Sequence, residues 1–80
     1  MLIPIKMPKL GYDMTSGRIE SWLKGVGDEV RRGEPIAEIE TDKVVIQMEA
    51  LASGRLVEIV HEADAEVAVE EIIGYLDDGA

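Results

Sequence analysis

The clearest reactive group in this chain is one lysine. Lys43 stands in Glu40-Thr41-Asp42-Lys43-Val44, between two strand-like runs, with Asp-Lys at the centre of the connection. Tight hairpins favour Asn-Gly, Asp-Gly or another glycine pair, because the primed turns need positive φ. This connection has no glycine, although glycine is used freely elsewhere in the chain. A local rule broken at a protruding tip marks a place to look for function. A lysine there carries a hydrated ammonium on a flexible stem, open to acylation by another enzyme. The competing explanation is an ordinary solvated turn residue, and choosing between the two needs the surrounding sequence.

Other groups offer less. His61 is the only histidine, with no serine or cysteine placed for it to activate, so it reads as a strand-end surface residue rather than a general base. Glu38, Glu40, Asp42 and Glu49 could suggest a cation site, but their alternation on strands describes a solvated face. Gly25-Val26-Gly27 lacks the third glycine and following helix of a dinucleotide loop and reads as a turn. Trp22 and Met48 are core candidates in a chain without phenylalanine. No catalytic residue and no metal ligand is assigned.

Eighty residues make one small domain, and burial at this size is only about 60% of the unfolded surface, which argues against a deep catalytic cleft. With no cysteine, packing alone must hold the core. A net charge of −9, with eight scattered basic residues, argues against nucleic acid as a partner. It favours basic partner surfaces instead. No apolar run approaches the roughly 20 residues of a membrane span, and Met1-Leu2-Ile3-Pro4 lacks the features of a signal peptide. No membrane partner is expected, and an intracellular location is.

The elements that must position Lys43 are strands. Short β-branched runs occur at 2–5, 36–39, 44–48, 56–60 and 72–76, separated by turn signals at Ser16-Gly17, Gly25, Gly27, Gly33 before Pro35, and Ser53-Gly54. Val44, Ile46, Met48 and Ala50 share one face at period two, with Gln47 and Glu49 on the other; Ala37, Ile39 and Thr41 likewise oppose Glu38 and Glu40. Paired apolar residues in 19–23 and 56–60 suggest bulges or strands covered on both faces. About eight strands and no helix are expected, in a two-sheet sandwich or flattened barrel with one sheet dominated by each half.

An internal repeat places the lysine. Ser16-Gly17-Arg18-Ile19 recurs as Ser53-Gly54-Arg55-Leu56, and the same gapless offset pairs Glu29-Val30 with Glu66-Val67, Glu34 with Glu71 and Ile36 with Ile73. Glu62 to Glu71 has helix-like alanine and glutamate content, but the repeat maps it onto the glycine-rich Gly25 to Glu34. Two such units imply a pseudo-twofold domain. Lys43 then falls opposite Ala80, at one pole, with the chain termini at the other.

At this point the chain resembles the lipoyl domains of 2-oxo acid dehydrogenase complexes. The residues that carry the resemblance are Met7-Pro8-Lys9-Leu10-Gly11, Thr15-Ser16-Gly17-Arg18-Ile19, Gly27-Asp28-Glu29-Val30, Gly33-Glu34-Pro35-Ile36, Glu38-Ile39-Glu40-Thr41-Asp42-Lys43-Val44 and Ala52-Ser53-Gly54. The resemblance implies an all-β flattened barrel of two four-stranded antiparallel sheets. It implies lipoate in amide linkage to Lys43, with Asp42 and Val44 presenting the turn. It also implies a swinging-arm carrier rather than a catalyst. Such a carrier takes an acyl group from a thiamine-diphosphate-dependent 2-oxo acid decarboxylase (E1) and delivers it to coenzyme A at the acyltransferase core (E2). A flavin-dependent dihydrolipoamide dehydrogenase (E3) then reoxidises it. A lipoate ligase or lipoyl transferase would install the group. Residues 1–80 are expected to form one lipoyl domain, N-terminal in a longer acyltransferase chain with a linker starting near 78. The compartment would be the cytoplasm in bacteria or the mitochondrial matrix in eukaryotes.

Asp64 and Glu70 depart from the family, standing where glycines are usual and where the repeat has Gly27 and Gly33. Aspartate tolerates a left-handed backbone and glutamate does so poorly, so the second-half turns are expected to differ in shape, far from Lys43. A further asymmetry is the longer stretch Pro8 to Thr15, matched in the second half only by Leu51-Ala52. This extra loop should lie beside Lys43. Leu10, Tyr12, Asp13 and Met14 are its candidate partner-recognition residues, with packing over the sandwich end as the competing explanation. The loop looks more like the pyruvate or acetoin branch of the family than the 2-oxoglutarate branch. Two other functions compete: a biotinyl carrier, for which family resemblance would call for Met-Lys-Met where this chain has Asp42-Lys43-Val44, and an unmodified β-interaction module.

Overall fold

The computed structural model describes all 80 residues. Alternating and β-branched runs form eight strands: β1 Leu2–Lys6, β2 Ser16–Trp22, β3 Glu29–Val30, β4 Pro35–Glu40, β5 Val45–Glu49, β6 Gly54–Ile59, β7 Glu66–Ala68 and β8 Ile72–Asp77. No helix forms, and Glu62 to Glu71 is turn and short strand, as the repeat requires. Two antiparallel four-stranded sheets result, ordered β1-β8-β6-β3 and β5-β4-β2-β7. They face each other in a sandwich of 36 × 20 × 18 Å.

The pseudo-twofold relation is visible in the backbone bonds. Gly27 N donates to Leu56 O and Asp64 N to Ile19 O, both at 2.7 Å; Gly33 N donates to Ala50 O at 2.8 Å and Glu70 N to Met7 O at 2.9 Å. Neither half builds a sheet alone, however. The inner pair of each sheet comes from one half and both edge strands from the other. This exchange interlocks the halves, because the edge strands β1, β3 and β7 each pair with a strand distant in sequence, while β5 joins β4 through a local hairpin.

The core is thirteen buried apolar side chains with no buried polar group, so packing alone holds it. Ala37, Ile39, Met48 and Ala50 enter it from the expected faces, whereas Ile46 is half-buried and Val44 is exposed. Burial thus rises along β5 away from the hairpin tip. Register shifts occur between Ile19 and Ser21 and between Leu56 and Glu58, the two places where paired apolar residues suggested a bulge. Trp22 packs against the core and its indole N–H donates to His61 O at 2.9 Å. His61 sits just past β6, half-exposed, with Nε2 2.9 Å from a Glu71 carboxylate oxygen.

The turns at Asp64 and Glu70 do not differ in shape from their mates. Both residues have φ of 75°, in the left-handed region occupied by Gly27 at 98° and Gly33 at 88°. Symmetry of the ladder outweighs the intrinsic preference of the side chains, since the N–H of each must meet a fixed carbonyl across the sandwich.

Candidate functional site

β1 begins at the chain termini, where Leu2 pairs with Asp77, and runs away from them to Met7. Met7 Sδ, Met14 Cε and Ile39 Cγ2 all lie within 3.1 Å of where a Cβ on Gly17 would stand. Any side chain there would have to displace the end of Met14 and crowd Ile39 and Met7, so the close packing at this end favours glycine. Arg18, the next residue, pairs with Glu40, the last residue of β4. The end of the sandwich that holds Met7, Met14 and Gly17 is thus the end from which Thr41 to Val44 project, opposite the termini.

Lys43 and Asp42 are exposed at the tip, and none of the ion pairs in the chain involves Lys43. Val44 and Val45 beside it are half-exposed, at 52% and 50%. Neither Asp42 nor Lys43 has positive φ, so this is not a primed turn. Thr41 replaces that chemistry: its N–H donates to Val44 O at 2.8 Å, and its Oγ1 accepts from Lys43 N at 3.3 Å and from Val44 N at 3.1 Å. The hydroxyl also donates to Val44 O at 3.1 Å.

Behind the tip, Arg18 gathers three carboxylates. Its Nε donates to Glu40 at 2.7 Å and its guanidinium to Asp64 at 2.8 Å, with Glu20 on the remaining nitrogen. The Arg18 hydrogen bond holds the Glu40 carboxyl below the usual carboxylate range, and Glu40 in turn raises the guanidinium. Asp64 and Glu70, expected far from Lys43, both lie toward its end of the sandwich: Asp64 is joined through Arg18 to the strand that carries the hairpin, and Glu70 N donates to the carbonyl of Met7. The cause is the fold over of the β6–β7 turn onto β2, where Asp64 N meets Ile19 O. Glu38 accepts from Ser21 Oγ at 2.9 Å, so these carboxylates make hydrogen bonds and ion pairs along one sheet face.

The extra loop rises from the same end and divides into two parts. Leu10 and Met14 pack against the core, with Leu10 N donating to Met14 Sδ at 3.2 Å, which is the packing explanation weighed for them. Tyr12 and Asp13 occupy a turn closed by Met14 N to Gly11 O at 3.1 Å, and Tyr12 is 94% exposed. Of the four loop residues, only these two face outward. Arg18 and Thr41 are site residues that strand patterning missed. The signal for Arg18 was the repeated Ser-Gly-Arg, and for Thr41 a hydroxyl two places before the central turn lysine.

Known proteins resemble this chain in sequence and fold. The family profile described as "Biotin-requiring enzyme" matches residues 3–76. The dihydrolipoyllysine-residue succinyltransferase component of the 2-oxoglutarate dehydrogenase complex of Bacillus subtilis is 43% identical over 76 residues, 95% of this chain and 18% of that protein. The acetyltransferase component of the pyruvate dehydrogenase complex of Rickettsia conorii is 46% identical over 77 residues, 95% of this chain and 19% of that protein. The acetyltransferase component of the acetoin cleaving system of Pseudomonas putida is 37% identical over 75 residues, 94% of this chain and 20% of that protein. This chain therefore spans about a fifth of the length of these relatives. The solution structure of the lipoyl domain of the 2-oxoglutarate dehydrogenase complex of Azotobacter vinelandii superimposes with a TM-score of 0.77 at 38% identity, covering 98% of this chain and 99% of that one. Family profile, sequence identity and overall fold agree: the chain belongs to the biotinyl/lipoyl carrier family and is a lipoyl domain, a carrier separate from the catalytic core of its acyltransferase relatives.

Proposed function

We propose that Lys43 is the lipoylated residue, with Asp42 and Val44 flanking the modified tip. The observation that carries this is the presentation of Lys43: exposed, unpaired and at the centre of a braced hairpin. Lys24, by contrast, is half-buried and ion-paired with Glu34 at 3.2 Å, and Lys6 lies in β1, whose strand is paired with β8. Lys43 Nζ would hold lipoate by an amide bond, and the bound dithiolane would supply a site that accepts and releases an acyl group. The domain's own contribution is tethering, which keeps that group at high effective concentration among several active sites.

In this role the domain would be tethered in a longer acyltransferase chain, with a linker starting near residue 78. It would take the acyl group from a thiamine-diphosphate-dependent 2-oxo acid decarboxylase and pass it to coenzyme A at the acyltransferase core, and a flavin dehydrogenase would reoxidise it. A lipoate ligase or lipoyl transferase would act first, in the bacterial cytoplasm or mitochondrial matrix. Tyr12 and Asp13 would help a pyruvate-type decarboxylase select the domain, with Leu10 and Met14 holding the loop in place. Support for this is the outward tip on a packed base, beside the lysine end.

Incubation with lipoate, ATP and a lipoate ligase, followed by intact mass and peptide mapping, tests the assignment. Lipoate on Lys43 is expected. Lipoate on Lys6, Lys9 or Lys24 would sink it, and so would biotin in place of lipoate when biotin ligase is supplied, or no modification at all. For the loop, Tyr12→Ala with Asp13→Ala should slow acylation by the decarboxylase while leaving lipoylation intact. Equal acylation rates would exclude the tip as a specificity element.

A further inference from the structure

Thr41 has a role that rests on the lipoylation of Lys43 proposed above and goes beyond it. A threonine hydroxyl has one proton to donate and two lone pairs to accept with. At Thr41 all three are engaged within the tip: the lone pairs take Lys43 N and Val44 N, and the proton goes to Val44 O. Accepting from residues two and three places on is the geometry of a helix N-cap, and it bends Asp42 and Lys43 into a right-handed turn without positive φ.

The same device recurs at the pseudo-symmetric position, which makes it more than an accident of one side chain. Asp78 is the mate of Thr41, Ala80 of Lys43, and Met1 stands where Val44 does. Asp78 Oδ1 accepts from Ala80 N at 2.9 Å and lies 3.1 Å from the Met1 nitrogen, while Asp78 N donates to Met1 O at 3.2 Å. Three contacts at one pole thus repeat three at the other. In both halves a side-chain oxygen at this position gathers the nitrogens two residues on and at the start of the next strand, within one hairpin at Thr41 and between the two chain ends at Asp78.

We infer that the Thr41 hydroxyl is a positioning residue for modification, setting the direction in which Lys43 leaves the hairpin. A modifying enzyme that reads where the amine stands on the hairpin sees only the fraction of molecules with the tip closed. Losing the cap lowers that fraction, and the loss appears in KM rather than in kcat. Asp42 and Val44 contribute backbone to the turn, whereas Thr41 contributes the atom that organises it.

Thr41→Val keeps the shape and removes the hydroxyl; Thr41→Ser keeps the hydroxyl. Lipoylation kinetics with a lipoate ligase, lipoate and ATP should show kcat/KM falling for Thr41→Val by on the order of tenfold, mostly through KM. Thr41→Ser should stay within about twofold of the parent. Amide exchange of the parent should show Lys43 and Val44 N–H protected relative to Asp42 N–H, with that protection lost in Thr41→Val and the sheets unchanged. A parent that is not modified at Lys43 overturns the carrier assignment and the positioning role together. A modified parent with Thr41→Val within twofold of it, or with Thr41→Ser as poor as Thr41→Val, overturns the positioning role alone. So do Lys43 and Val44 amides that exchange as fast as Asp42 in the parent.

Discussion

Glu70→Gly should stabilise this domain, because Glu70 holds a φ of 75° that its Cβ disfavours. A left-handed L-residue costs roughly 1–2 kcal/mol. Glycine gives back roughly 0.5–1 kcal/mol through the greater freedom of its unfolded chain. The net gain is about 0.5–1 kcal/mol, or a rise in Tm of about 4 °C for a domain of this length. Pseudo-symmetry supplies the mirrored experiment: a Cβ on Gly33 would meet nothing within 4 Å, so Gly33→Glu tests the backbone term without a clash and should lose about what Glu70→Gly gains. Glu70→Gln separates the effect of charge, since it relieves a chain of net charge −9 but keeps the strain. Asp64→Gly should gain less, because aspartate tolerates the conformation better and its contact with Arg18 is lost. Thermal unfolding by circular dichroism reads all four. A Tm for Glu70→Gly at or below the parent, or a Gly33→Glu variant as stable as the parent, would refute the reasoning.

Lys43→Arg should abolish lipoylation and leave Tm within about 2 °C of the parent, since an exposed tip charge is kept while the acylatable amine is lost; a large drop in Tm would mean that Lys43 is structural. Exchanging Asp42 and Lys43 should nearly eliminate modification, because the amine would move from the residue whose N–H meets Thr41 Oγ1 to its neighbour; efficient lipoylation would show that any exposed lysine suffices. The Arg18 cluster predicts an acid dependence. The folded-state pKa of Glu40 is depressed, so its contribution is present at neutral pH, above the unfolded glutamate value of about 4.3, and is lost as pH falls through the lower folded value. Arg18→Gln should therefore lower Tm at pH 7, and the gap from the parent should close on acidification. A gap that stays constant down to pH 2 would remove the ion pairs as its cause.

Much of this was legible in the residues themselves. The β-branched runs and recurring Ser-Gly-Arg determine eight short strands in two related halves, because side-chain period and repeat offset are local properties that survive in a one-dimensional string. They also place Lys43 on a strand connection and reveal that Asp64 and Glu70 occupy glycine positions. Only the tertiary structure decided which strands exchange edges, since β1 pairs with β8 and β7 with β2 across most of the chain. It also separated Leu10 and Met14, which pack inward, from Tyr12, which does not. All three are apolar at the same spacing, and a loop has no period to say which side faces the core. The meeting of Arg18, Glu40 and Asp64 behind the hairpin depends likewise on a turn folding back across the sandwich. Such contacts are set by how distant backbones approach one another, and no local pattern encodes that approach.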